Sequence, residues 1–181
     1  MDLGIVMQRF FTLTLFILFS MPIQASSIFV EHTTDNDFAS VEEDVVLAII
    51  GQGLVIAHRS DVATMLNRTA KDLTRQAFNM MTSMMPVAPF RNQVVKTTYR
   101  HGTVIEFCSV DLSTLTTAAD PNNILFCPFS IAIFQLLNEP NRVHVSYLRL
   151  SRFADTDNPK SVSALTKVEN MLAEIVTEAL N

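Results

Sequence analysis

The stretch ILFCPFSIAIFQL, residues 124–136, constrains the fold more than any other segment. Its apolar residues fall at odd and even positions alike. A strand with one wet face alternates apolar and polar residues. One that is apolar throughout belongs in the middle of a sheet, or against a partner subunit. Turn signals bound it on both sides, Asp120-Pro121 before and Asn138-Glu-Pro-Asn141 after. The segment therefore predicts a central strand with Phe129, Ile131 and Ile133 in the core.

The remainder must supply layers to cover that strand. Ile28 to His32 alternate as a first strand. Ser40 and Glu43 have the spacing of a capping box, and Val41, Val45, Ala48 and Ile49 follow at helical intervals. Gly51 is placed to end that helix in a left-handed conformation, and Leu54 to His58 reads as a second strand. Residues 60–85 are helix-like again, and Pro86 and Pro89 end them. Val94–Tyr99 and Thr103–Cys108 surround His101-Gly102 and suggest a hairpin. Asp111 is placed to cap a helix that stops near Ala119, because Asp120 precedes a proline. Arg142 to Leu150 alternate as a last strand. Asn158-Pro159 then opens a helix with Val162, Leu165, Val168, Leu172 and Ile175 on one stripe. Strands interleaved with helices predict an α+β fold, a mixed β-sheet backed by helices.

Residues 1–25 have the layout of a secretory signal. Arg9 is the positive flank, Phe10 to Phe19 the apolar run, and Pro22 precedes the small residues around Ala25. The run is shorter than the roughly 20 apolar residues of a membrane span. Cleavage after Ala25 would leave residues 26–181 as a single domain in the periplasm or outside the cell, with no stable membrane span. A net charge of −5 without a basic stripe offers no footprint for nucleic acid.

The segment VIEFCSVDLSTLTTAADPNNILFCPFSIAIFQL, followed by RVHVSYLRL, resembles the core of the domain-of-unknown-function family 302. That pattern has an apolar strand ending near a cysteine, a short helix, and an acidic-Pro turn. A long strand with a Cys-Pro pair and a final strand follow. DFASVEEDVVLAIIGQGLVIAHRSDVATML resembles the family's opening helix, strand and short helix. The likeness spans most of residues 27–150, with residues 67–102 longer than the pattern. It implies a compact α+β domain that dimerises, and it implies no established activity.

Two cysteines, Cys108 and Cys127, flank the short helix. If that helix crosses over right-handedly, the strands bearing them run parallel and side by side. Neighbouring strands lie about 4.8 Å apart, within reach of a disulfide whose Cα atoms are about 4.4–6.8 Å apart. An exported setting favours such a structural bridge. Two unrelated buried thiols, a metal site and an exchange-active pair are the alternatives. The spacing lacks the close C-x2-C pairs of zinc or thioredoxin sites.

Met80, Met81, Met84 and Met85 gather thioethers on one helix side, a soft donor set suited to Cu(I). An adaptable core or contact face is the reading preferred, because no histidine is adjacent in sequence to complete a metal site. His32, His58 and His144 fall on strands where they could converge. His58-Arg-Ser-Asp61 holds hydrolytic residue types in direct succession, whereas a triad needs placement in space. Ser60 and Asp61 suit a helix cap instead. Gly51-x-Gly53 lacks the third glycine of a dinucleotide loop.

Two functional expectations follow. The first is an exported, non-catalytic accessory module that binds a small apolar ligand or a partner protein, without cofactor. The second is a thiol- or copper-handling protein that uses Cys108, Cys127 and the Met80–Met85 cluster.

Overall fold

The central strand lies where its composition puts it. A computed structural model describes residues 27–84 and 98–181 of the protein. Five strands form one sheet: β1 (Phe29–Thr34), β2 (Val55–Asp61), β3 (Tyr99–Cys108), β4 (Phe129–Leu136) and β5 (Val143–Leu148), in the order β1-β5-β4-β3-β2. Four α-helices accompany it: α1 (Phe38–Gly51), α2 (Val62–Met84), α3 (Val110–Ala119) and α4 (Pro159–Leu180). This is the expected α+β domain with β4 at its centre.

The sheet is not mixed. Every neighbouring pair is antiparallel, including β3 and β4, where Phe107 lies opposite Phe129. The expected crossover fails because residues 121–126 form a 3-10 helix rather than the start of a strand. The ten residues of α3 extend about 15 Å. Six residues of 3-10 helix cover a similar length, about 12 Å at 2.0 Å per residue. The chain thus goes out and returns to the end of the sheet it left.

Side chains alternate across the sheet. Ile105, Phe107, Phe129, Ile131, Ile133 and Val145 face one way and are buried. They share one core with Val41, Val45 and Ile49 of α1 and with Leu165, Val168 and Leu172 of α4. The other face of β3 carries α2, whose Ala63 lies 3.6 Å from where a Gly102 Cβ would sit. His101-Gly102 is not a hairpin turn. It lies inside β3, which shifts register between Tyr99 and His101. Residues 94–97 of the expected hairpin lie outside the described residues.

The helix ends differ from the sequence reading in a consistent way. Asp37, not Ser40, caps α1 and accepts from the amides of Ala39 and Ser40. Ser109, not Asp111, caps α3 through the Leu112 amide. Gly53, not Gly51, takes the left-handed backbone, with φ of 73°. In each case two residues suited to the role stand within a few positions of each other, and the structure uses the one farther from the helix interior. Asn158 caps α4 as expected, accepting from the Ser161 amide with Pro159 in the first turn. Asp61 precedes α2 and accepts from the Thr64 amide at 2.8 Å. That backbone hydrogen bond, aided by one from the Thr64 side chain, holds its carboxyl below the ordinary aspartate range.

A buried polar cluster fastens α3 and the 3-10 turn to α4. Asn123 Nδ2 donates to the Thr116 carbonyl and to Ser161 Oγ, each at 3.0 Å. Asn158 Nδ2 donates to the Ala119 carbonyl at 2.9 Å. Two of the bonds tie the short connection to the start of the long helix, and the one to Thr116 holds the turn against α3.

Candidate functional site

The β4–β5 ladder gives out before its strands do. Its register runs from Gln135–Val143 to Ala132–Ser146, although β4 begins at Phe129 and β5 continues to Leu148. The unpaired ends border a cleft of about 80 Å³. Phe126, Phe129, Leu148, Leu150 and Leu172 line it, and Ser130 brings a hydroxyl.

Three pieces of local structure position these groups. The 3-10 turn brings Leu125 and Phe126 to the cleft, and a cis Cys127–Pro128 peptide leads into β4. A second 3-10 turn, Leu150–Phe153, follows β5 and packs Phe153 against Phe126 with ring centroids 5.7 Å apart. From α4 comes Leu172, which is buried. Leu125 is 83% exposed, and Leu148, Phe153 and Phe29 are exposed as well. Phe29 is the register partner of Leu148, so the apolar surface extends from the cleft onto β1.

Size limits what the cleft can hold. An apolar cavity of about 150 Å³ accepts benzene, and sites for larger ligands run to about 300–1,000 Å³. A cleft of about 80 Å³ suits the tip of an alkyl chain or one apolar side chain, with the rest of the ligand lying across the rim.

The histidines do not converge. His32 is on β1 and His58 on β2, the two opposite edges of the sheet. His32 stacks on Tyr147 at 6.3 Å, and His101 stacks on Phe38 at 5.1 Å. Burial foremost, and then the charge of Glu169, raise the Tyr147 phenol above its ordinary range. His144 is buried, with its ring parallel to Phe134 at 4.8 Å. Its Nδ1 lies 2.6 Å from Glu31 Oε1, which ties the edge strand β1 to β5. Its Nε2 lies 3.5 Å from Glu139 Oε2. Among the described residues no group of three His, Cys, Asp or Glu side chains is arranged to hold a metal ion.

Cys108 and Cys127 are free thiols. The parallel crossover on which a bridge was expected is absent. Antiparallel pairing still brings both residues to one end of the sheet, but they are turned differently. Cys108 follows core-facing Phe107 and therefore lies on the opposite face of β3. Cys127 packs against the core and its Sγ lies 3.5 Å from Ser113 Oγ of α3. Met80, Met81 and Met84 belong to α2, and Met85 lies outside the described residues, as does the expected signal of residues 1–25. Among the described residues no helix is long and apolar enough to cross a membrane.

Neither the cleft nor its rim was visible in the sequence. Both depend on where two strands stop pairing, and Ile124 to Phe126 read there as strand. The exposed run Ile124-Leu125 beside a cis-proline is the one local signal that could have marked the place.

Such an arrangement defines a small α+β domain of one antiparallel sheet with helices on both faces and an apolar cleft at one end. The chain belongs to the family described as "Domain of unknown function DUF302", which it matches over residues 60–179. That span takes in residues 67–102 and α4, beyond the stretch in which the likeness was read. The fold is similar to that in the "Crystal structure of uncharacterized conserved protein DUF302 from Bacillus stearothermophilus", with a TM-score of 0.62 at 10% identity. The alignment covers 85% of this chain and 99% of that one. No curated protein matches the chain.

Proposed function

We propose that the protein is an exported, non-catalytic binding module whose β4–β5 cleft takes an apolar group. That group is the end of a small apolar ligand or one apolar side chain of a partner protein. The observation that carries this reading is the cleft itself, an apolar recess continuous with exposed Leu125, Leu148 and Phe153. Exposed apolar surface around a recess is a common mark of binding sites.

Calorimetric titration with straight-chain alcohols of increasing length tests the reading. Affinity is expected to rise by about 0.8 kcal/mol per buried methylene and to level off once the cleft is filled. Ser130→Phe, which adds a ring at the lining, is expected to abolish that rise. Affinity independent of chain length, or unaffected by Ser130→Phe, would overturn it. Copper retained by the same purified sample would favour the thiol and thioether reading instead. The opposed settings of Cys108 and Cys127 weigh against that alternative.

Export rests on the leader-like residues 1–25. The soluble protein is expected to have an intact mass that begins at Ser26. A soluble species beginning at Met1 would remove export from the reading.

A further inference from the structure

We infer that the cleft takes an alkylammonium ion, with its apolar end in the recess and its ammonium beside Glu106. This rests on the proposed function of the cleft, which supplies the apolar half, and adds the sign of the charge at the other half.

The register brings Glu106 to the mouth. The β4–β5 ladder ends at Ala132 and Ser146, and the cleft opens at the next residues on that face, Ser130 and Leu148. Ser130 is in turn the register partner of Glu106 on β3. Directly opposed residues on neighbouring strands point to the same face, with Cβ atoms about 4.5–5.5 Å apart. The Glu106 side chain thus stands one strand away from the opening. Little rises around it, since Ser130, Ala132 and Ser146 are all small.

Glu106 is also the wrong residue for its setting unless something pairs with it. It is half-buried, between Val104 and Cys108 along β3 and between Ser130 and His58 across it. The other half-buried glutamates, Glu42, Glu139 and Glu169, each face an arginine. Among the described residues the Glu106 side chain makes no ion pair and no hydrogen bond. A carboxylate partly withdrawn from water without a counter-charge is a cost to the free protein, and a bound cation offsets it.

The same group fixes the sign of the ligand. The row that crosses the sheet at the cleft is Phe29, Leu148, Ser130, Glu106 and His58, without lysine or arginine. His58 is on β2, across Glu106 from the cleft. An alkyl carboxylate or phosphate with its chain in the recess would meet a like charge. An alkylammonium meets an opposite one.

Calorimetric titration with n-hexylamine, n-hexanol and n-hexanoate presents one chain with three heads. At low salt the amine is expected to bind about three- to fivefold more tightly than the alcohol, the size of a half-exposed ion pair. Hexanoate is expected to bind more weakly than either. Added salt is expected to close the gap between amine and alcohol. Glu106→Gln keeps the shape without the charge and is expected to bring the two to near parity. The salt series uses the wild-type protein, so it decides the matter if that variant does not fold. Equal affinity for amine and alcohol would overturn the inference, as would an advantage that survives Glu106→Gln or high salt. The cleft reading would still stand in those cases, provided that alcohol affinity rises with chain length. Alcohol affinity that ignores chain length would remove the cleft reading, and this inference with it.

Discussion

Ile131→Ala is expected to lower folding stability by about 2–5 kcal/mol, the usual cost of truncating a fully buried isoleucine. Ile131 sits in the middle of β4, which is the middle strand of five, and it is 0% exposed. Its register partner is Ile105 of β3, also fully buried. The helices α1 and α4 close the same core above them. Removing three carbons there loses their transfer free energy and leaves a hole that rigid neighbours on four elements cannot all move to fill. Urea unfolding is the measurement, with the midpoint falling and the slope unchanged. A loss under about half a kcal/mol, the size seen at exposed sites, would place β4 at the edge of the fold.

That prediction was available from the sequence, because it rests on density of apolar residues and needs no knowledge of strand direction. Burial on this scale is a property of composition over a few residues. Direction is not. Whether β4 runs with or against β3 depends on where the chain comes back, and that is decided by residues 121–126. Ile124, Leu125 and Phe126 continue the apolar run of β4, and no periodicity separates six residues of 3-10 helix from the start of a strand. One misread turn therefore reversed the expected pairing, and with it the parallel crossover from which a disulfide was argued.

Helix starts were legible to within a few residues and no closer. Asp37 and Ser40 are both good caps, as are Ser109 and Asp111, and propensity does not rank them. Packing does. The α1 residues Val41 and Val45 reach the core when the helix begins at Phe38, which puts Asp37 at its end. The candidate site was the least legible part. The cleft is made by residues from two strands, two 3-10 turns and α4, and only the three-dimensional register shows that the β4–β5 ladder stops short of its strand ends.

The residue that fixes the misread turn gives the second large effect. Asn123→Ala is expected to cost about 1–3 kcal/mol, since it leaves the buried Ser161 Oγ without its donor, while the Thr116 carbonyl keeps the Asp120 amide. Asn123 is 3% exposed and Ser161 is 0% exposed, so no bulk water replaces the lost donor. The amide joins the last turn of α3 to the first turn of α4, and its bond to Ser161 spans 38 residues of the chain. In the sequence it is one polar residue of a Pro-Asn-Asn turn, where asparagine is ordinary. Its importance comes only from α4 arriving above it. Ser161→Ala removes the other side of one bond, so Asn123→Ala and Ser161→Ala together are expected to cost less than the sum of the two alone. Thermal or urea unfolding of the four proteins in that cycle gives the coupling. Additive losses would show that the two side chains act separately, and that α3 and its turn are held to α4 by apolar contacts rather than by this amide.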